Sequence, residues 1–116
     1  MNIYFAPLEG ITGFVLRNAY ESCFPGTIDR YFAPFIAASC RKKLAARDLR
    51  DVLPENNTGI CLIPQLLANK GEDFISTAQM LYQFGYRELN LNLGCLLYTS
   101  PAHETEADLV CRLLLE

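Results

Sequence analysis

The sequence predicts an α/β fold built on a parallel sheet. Short apolar segments, typical of buried strands, alternate along the chain with segments of helical periodicity. The apolar segments are nearly continuous, as in parallel strands that are covered on both faces. Of the 116 residues, 51% are apolar and 20% are charged. This composition is that of a globular domain, and it excludes disordered, collagen-like and coiled-coil chains.

Four strands are predicted from the apolar segments. They cover residues 3–6, 30–35, 60–63 and 89–93. Pro7 closes the first strand, Pro34 breaks the second, and Pro64 ends the third. In the fourth strand Asn90 and Asn92 share one face, and leucines occupy the other. Because a polar face on a parallel strand is costly unless it has partners, we expect the two asparagines to line a site.

Helical periodicity predicts three helices between the strands. They cover residues 14–22, 40–52 and 72–84. In the first helix, Phe14, Val15 and Ala19 are expected to face the core. Ser39 is a suitable N-cap for the second helix, and Gly85 is suited to end the third.

The net charge of −3 lies entirely in the last part of the chain. Residues 96–116 contain four acidic residues and one arginine, whereas the preceding residues are balanced. A basic run falls within the predicted second helix and consists of Arg41, Lys42, Lys43, Arg47 and Arg50. Such a run is typical of a solvated helix face, and contact with phosphates is the alternative.

The cysteines predict neither a metal site nor a disulfide framework. They form no C-x-x-C pair and the chain has a single histidine, His103, so we expect no bound metal. Cys23 and Cys61 lie among apolar residues and are expected in the core. No apolar run approaches the ~18 residues of a membrane helix, and the amino terminus has no secretory signal pattern. We therefore expect a cytoplasmic protein that does not enter a membrane.

Five short motifs lie at strand ends or in the loops between strands. They are APLEGIT at residues 6–12, APFI at 33–36, PENN at 54–57, IPQLL at 63–67 and GYRELNLNLGC at 85–95. Together these motifs resemble the flavin-dependent tRNA-dihydrouridine synthases, and the resemblance covers residues 1–95. It implies the N-terminal half of a (β/α)8 TIM barrel, truncated after the fourth strand, because a full barrel needs about 250 residues. Residues 1–95 would then be a partial FMN-binding catalytic domain of a protein that is monomeric when intact.

The resemblance also assigns cofactor contacts to individual residues. It implies that Pro7, Leu8 and Glu9 contact FMN through their backbone and that Gln65 hydrogen-bonds the pyrimidine edge of the flavin. An amide suits that edge because it offers both a donor and an acceptor. NADPH would reduce the flavin, which carries the hydride chemistry.

The substrate that the resemblance implies is a uridine of tRNA, reduced at the C5–C6 double bond of its uracil. Asn92 would hold the extruded base. Cys95 would be the catalytic acid that protonates C5, while hydride is delivered to C6 from the opposite face. An ordinary thiol is protonated at neutral pH and can donate that proton. The 116-residue chain alone is expected to be inactive, to bind FMN poorly, and to aggregate or remain loosely folded.

The resemblance ends at Cys95. The family continues with Gly-Cys-Pro and a basic loop, whereas this sequence continues with LLYTSP. Residues 95–100 can be back-translated into the mosaic end of a transposase-based sequencing adapter, and residues 109–115 into the flow-cell end of the same adapter, so Cys95 could be encoded by either the gene or the adapter. We therefore expect residues 96–116 to be a non-native tail, translated from adapter sequence and without function.

Two other functions remain open. Another FMN-dependent barrel oxidoreductase, similar to dihydroorotate dehydrogenase, would act on a free pyrimidine with the same hydride chemistry. A non-catalytic RNA-binding remnant would use the basic run and would bind tRNA in a salt-dependent way without taking up flavin.

Overall fold

The computed structural model describes residues 1–93 and the backbone of residues 110–114. The strands are β1 Tyr4–Phe5, β2 Arg30–Phe32, β3 Ile36–Ala37, β4 Leu62–Ile63, β5 Gln65–Leu67, β6 Glu88–Asn92 and β7 Val110–Leu114. The helices are α1 Phe14–Cys23, α2 Ala46–Val52 and α3 Gly71–Gln83, with a short 3-10 helix at Pro54–Asn56.

The described strands form two open sheets. One sheet contains β1, β2 and β4 in parallel, and the other contains β3, β5 and β6 in parallel with β7 added antiparallel to β6. Pro34 lies between β2 and β3, and Pro64 lies between β4 and β5. A proline has no N–H to donate to a ladder, so each of these two chain segments contributes two short strands rather than one. Strands are found in all four segments where they were predicted.

The prediction of a half-barrel is wrong. In the part of the chain that the structure describes, the two sheets stay open and do not close into a barrel. The division at Pro34 and Pro64 leaves each sheet with only three parallel strands, and the antiparallel β7 is foreign to an all-parallel barrel. The strand β7 belongs to residues 96–116, and the rest of that segment lies outside the described residues.

The core lies between the strands and the inward faces of α2 and α3. Its buried members are Tyr31, Ala33, Ile36, Val52, Leu62, Leu66, Ala78, Leu81 and Leu89. Phe5 of β1 joins this core through Tyr31, with the two ring centroids 5.1 Å apart. Gly85 ends α3 as predicted, at a φ of +104° that favours glycine. Its N–H donates to the carbonyl of Tyr82 at 2.9 Å.

The predicted inward face of α1 is wrong, although the helix itself is present. Val15 is 69% exposed, Ala19 is also exposed, and Arg17 is fully buried instead. Cys23 lies on the exposed side with Val15 and Ala19, at a spacing of four residues, and the expectation that it fills the core is wrong. Cys61 is also exposed, at the start of a strand segment whose next two residues, Leu62 and Ile63, are both buried, so the expectation that Cys61 fills the core is wrong as well.

The second helix begins six residues later than predicted. The Ser39 N–H donates to Thr77 Oγ1, which in turn donates to the Ser39 carbonyl, both at 3.1 Å. The Cys40 thiol donates to Asp73 Oδ1 at 3.0 Å. These contacts tie Ser39 and Cys40 to α3, and the helix begins only at Ala46, so Ser39 is not an N-cap. Residues 40–45 form a loop that leads into α2.

Candidate functional site

A cleft of about 520 Å³ opens beside the strand ends and the loops that follow them. Its apolar lining comes from Tyr4, Ala6, Pro7, Leu8, Phe32, Pro34 and Phe35, and its polar lining from Glu9, Gln65, Asn90 and Asn92. The volume is within the range of about 300–1,000 Å³ that is usual for small-molecule sites. An apolar and aromatic lining with a few polar groups suits a planar heterocycle.

The cleft brings together all the predicted site residues that lie in the described part of the chain. These are Pro7, Leu8, Glu9, Gln65 and Asn92. Cys95, the predicted catalytic acid, lies outside the described residues. The cleft therefore brings together residues of four motifs, those at 6–12, 33–36, 63–67 and 85–95, that are far apart in sequence.

Gln65 and Asn90 form a buried amide pair at this cleft. The register of β5 and β6 places Gln65 opposite Asn90, and Gln65 Nε2 donates to Asn90 Oδ1 at 2.6 Å. Gln65 is 6% exposed and Asn90 is 8% exposed. The side-chain oxygen of Gln65 is an acceptor and the amide NH₂ of Asn90 is a donor, and neither group is used in this bond. The uracil ring and the pyrimidine edge of a flavin both need such a combination.

A tight turn fixes the loop that carries Leu8 and Glu9. The N–H groups of Ile11 and Thr12 both donate to the Leu8 carbonyl at 3.0 Å. The Leu8 N–H donates to Thr12 Oγ1 at 2.8 Å. Gly10 adopts a φ of +79°, which the turn requires and which glycine adopts without strain. The backbone of residues 8–12 is thus held in one conformation at the edge of the cleft.

Arg17 supports this loop through its guanidinium, and the sequence did not predict that role. Its Nη1 donates to the Thr12 carbonyl at 2.8 Å and lies 3.2 Å from Asp51 Oδ2. Its Nη2 donates to the Asp51 carbonyl at 2.8 Å and to Asn57 Oδ1 at 2.9 Å. Asp51 Oδ1 also accepts from the Phe14 N–H at 2.7 Å. A single buried guanidinium therefore connects the loop before α1 with the end of α2 and the PENN motif.

A weak sequence signal for Arg17 exists. Arg17 follows Phe14 by three residues and precedes Tyr20 by three, so it shares their helix face. A cation on that face needs a buried partner, but the partners Asp51 and Asn57 are 34 and 40 residues away. Helical spacing alone cannot identify them.

A second, smaller cleft of about 280 Å³ lies beside the first. The two clefts share Glu9, Pro34 and Phe35. Arg47, Asp48, Arg50 and Asp51 of α2 line the second cleft. Burial raises the pKa of the Asp48 carboxyl, and neighbouring Arg47 partly opposes that shift. The basic side of α2 is therefore next to the cleft that holds the predicted site residues.

Metal ligands and membrane helices were also sought among the described residues. In that part of the chain, no three or more histidine, cysteine or acidic side chains come together in a way that could hold a metal ion. None of the helices described has the length and the apolar character needed to cross a membrane.

The chain was compared with known proteins by sequence and by structure. No family model, no curated protein and no solved structure matches it.

Proposed function

We propose that the chain belongs to a flavin-dependent tRNA-dihydrouridine synthase, which reduces the C5–C6 double bond of a uracil in tRNA with NADPH as the reductant. The observation that carries the proposal is the meeting of Pro7, Leu8, Glu9, Gln65 and Asn92 in one cleft. Each of these residues comes from a motif that resembles this family, and the motifs are separate in the sequence.

The cleft is suited to FMN in size and in chemistry. Its volume of about 520 Å³ and its aromatic lining, with Phe32 and Phe35, accept a planar ring system. Pro7, Leu8 and Glu9 would hold the ring through their backbone, and the Gln65 amide would hydrogen-bond its pyrimidine edge. When bound, FMN would supply the hydride that uracil reduction needs.

The chain itself would orient the uracil and supply a proton. Asn92 lines the same cleft as Gln65, and its amide can pair with the donor and acceptor groups of a uracil. Reduction adds a hydride at C6 and a proton at C5. Cys95 would donate that proton from its thiol, and the thiolate left behind would be reprotonated from solvent.

Nucleoside analysis of tRNA from the native host tests the proposal. Deleting the gene that encodes residues 1–95 should remove dihydrouridine from at least one tRNA position, and the wild-type gene should restore it. Alleles with Cys95→Ala or Gln65→Ala should fail to restore it, whereas Gln79→Ala, an exposed glutamine of α3, should restore it fully.

Two outcomes would count against this assignment. If dihydrouridine is unchanged in the deletion strain, the protein is not the synthase. If the deletion instead abolishes the reduction of a free pyrimidine, the chain belongs to the class of oxidoreductases similar to dihydroorotate dehydrogenase. A third outcome would count against the role of Cys95 alone: if the Cys95→Ala allele restores dihydrouridine and the Gln65→Ala allele does not, another group supplies the proton.

A further inference from the structure

Half of the ten lysines and arginines of the chain lie within ten residues. We call residues 41–50 the basic segment; its cations are Arg41, Lys42, Lys43, Arg47 and Arg50. Asp48 is the one acidic residue in the segment. All five cationic residues are exposed. Local charge is therefore strongly positive on a chain whose net charge is −3.

The first three cations lie on a loop rather than on a helix. Residues 40–45 follow β3 and precede α2. Among the described residues, the salt bridge of this segment joins Arg47 to Asp48 at 3.5 Å, and Arg41, Lys42 and Lys43 form none. Their charges are thus available to a partner. On the predicted helix, the same three charges would have pointed in different directions around the helix axis.

Both ends of the basic segment are anchored to the rest of the fold. Ser39 and Cys40 bond to Thr77 and Asp73 of α3. At the other end, Asp51 accepts from the Phe14 N–H and binds the buried Arg17. The basic segment is therefore held in place at both ends, and this lowers the conformational entropy that it loses when a partner binds.

The basic segment adjoins the cleft of the proposed function. The loop leaves β3 at its carboxyl end, and β3 runs parallel to β5 and β6, whose carboxyl end carries Asn92 of the cleft. Arg47 and Arg50 line the second cleft, which shares Glu9 and Phe35 with the first. A chain molecule with one planar group in the first cleft would therefore pass Arg47 and Arg50 of the basic segment.

We propose that the basic segment binds backbone phosphates of the tRNA strand whose uridine enters the cleft. The inference rests on the proposed function for the identity of the RNA. Lysine and arginine contacts to phosphates position a nucleic acid without reading its sequence, and each contact releases counterions and makes binding salt-dependent. A base in the cleft and phosphates along the segment would together fix the strand.

Fluorescence anisotropy of a labelled, unmodified tRNA transcript with the full chain tests this assignment. The logarithm of the association constant should fall linearly with the logarithm of the salt concentration, by about 0.7 to 0.9 per phosphate contact. The triple variant Arg41→Gln/Lys42→Gln/Lys43→Gln should bind more weakly at low salt and lower that slope by about 2.

The matched control replaces an arginine at the opposite end of the strands. Arg87 precedes β6 at its amino end. The single variants Arg41→Gln and Arg87→Gln carry the same change in charge and in side chain. Arg41→Gln should weaken tRNA binding and reduce the salt slope, and Arg87→Gln should change neither.

The outcomes separate this proposal from the proposed function. Binding of tRNA by the basic segment is refuted if the triple variant binds tRNA as the wild type does. It is refuted equally if Arg87→Gln weakens binding as much as Arg41→Gln, or if the chain binds anionic lipid vesicles in preference to tRNA. Flavin binding by the same samples, followed by FMN fluorescence, reports on the cleft alone. Loss of tRNA binding in the triple variant with no FMN uptake by the wild type would support tRNA binding by the basic segment and refute the synthase.

Discussion

Replacing Arg17 by methionine should destabilise the fold, because one side chain holds three parts of the chain. The guanidinium is fully buried and bonds to Thr12, Asp51 and Asn57. Removing one partner of a buried ion pair costs about 3–5 kcal/mol. Asp51 is 19% exposed and keeps its bond from the Phe14 N–H, so we expect the lower end of that range.

One feature of the wild-type site limits the cost further. Arg17 Nε is buried and has no hydrogen-bond partner within the described part of the chain. An unpaired buried donor is itself unfavourable by about 1–3 kcal/mol, and methionine removes it. We therefore expect Arg17→Met to lower the free energy of unfolding by about 3 kcal/mol rather than 5.

Urea unfolding followed by circular dichroism measures this difference in free energy. Arg47→Met is the matched control, because the Arg47 side chain is 74% exposed and its salt bridge with Asp48 is long at 3.5 Å. An exposed pair of this kind contributes about 0–1 kcal/mol. If Arg17→Met costs no more than Arg47→Met, the buried network does not stabilise the fold and the support it gives to residues 8–12 is refuted.

Two further predictions concern pH and self-association. Burial raises the pKa of Tyr86 to about 12, above the value of about 10 in an unfolded chain. The stabilisation that Tyr86 contributes to the free energy of unfolding is therefore complete below pH 10, and it is lost as the pH rises through 12. Tyr86→Phe loses the bond to the Val52 carbonyl and should cost about 1 kcal/mol at pH 8, but its free energy of unfolding should fall less between pH 10 and 12; equal falls in both proteins would contradict this. Val15→Lys, at a side chain that is 69% exposed, should change stability by at most about 0.5 kcal/mol and reduce self-association in sedimentation velocity; an unfolded variant would show that Val15 is part of the core.

The secondary structure that the sequence predicted correctly depends on local signals. The four strand segments are apolar and bounded by turn residues, and α3 ends where Gly85 permits a positive φ. The failures arise where distant residues decide. Ser39 bonds to Thr77 rather than capping a helix, and α1 turns Arg17 inward because its partner Asp51 comes from α2.

The barrel prediction failed for a related reason. It came from the resemblance of five motifs, and motifs do not determine how strands pair across a whole sheet. The sequence showed that Pro34 and Pro64 interrupt their strands. It did not show that both interruptions divide one sheet into two, because that depends on how neighbouring strands pair. The result is two short sheets in place of the single curved sheet of a barrel.

The composition of the cleft was more accessible to sequence reasoning. The resemblance of the motifs assigned Leu8, Gln65 and Asn92 to one site, and all three line the cleft although Leu8 follows a strand of one sheet and the other two belong to the second sheet. The pairing of Gln65 with Asn90 could not, because it depends on the register of β5 and β6. Helical and strand periodicity contain no information on that register.

We expect FMN to bind in the cleft, and quenching of FMN fluorescence on titration with the chain measures that binding. We expect weak but saturable quenching by the wild type and by Gln79→Ala. Gln65→Ala should bind about tenfold more weakly, since it loses a hydrogen bond and leaves a buried amide of Asn90 without its partner. Quenching that never saturates, or that is equal in Gln65→Ala and in the wild type, would contradict this expectation.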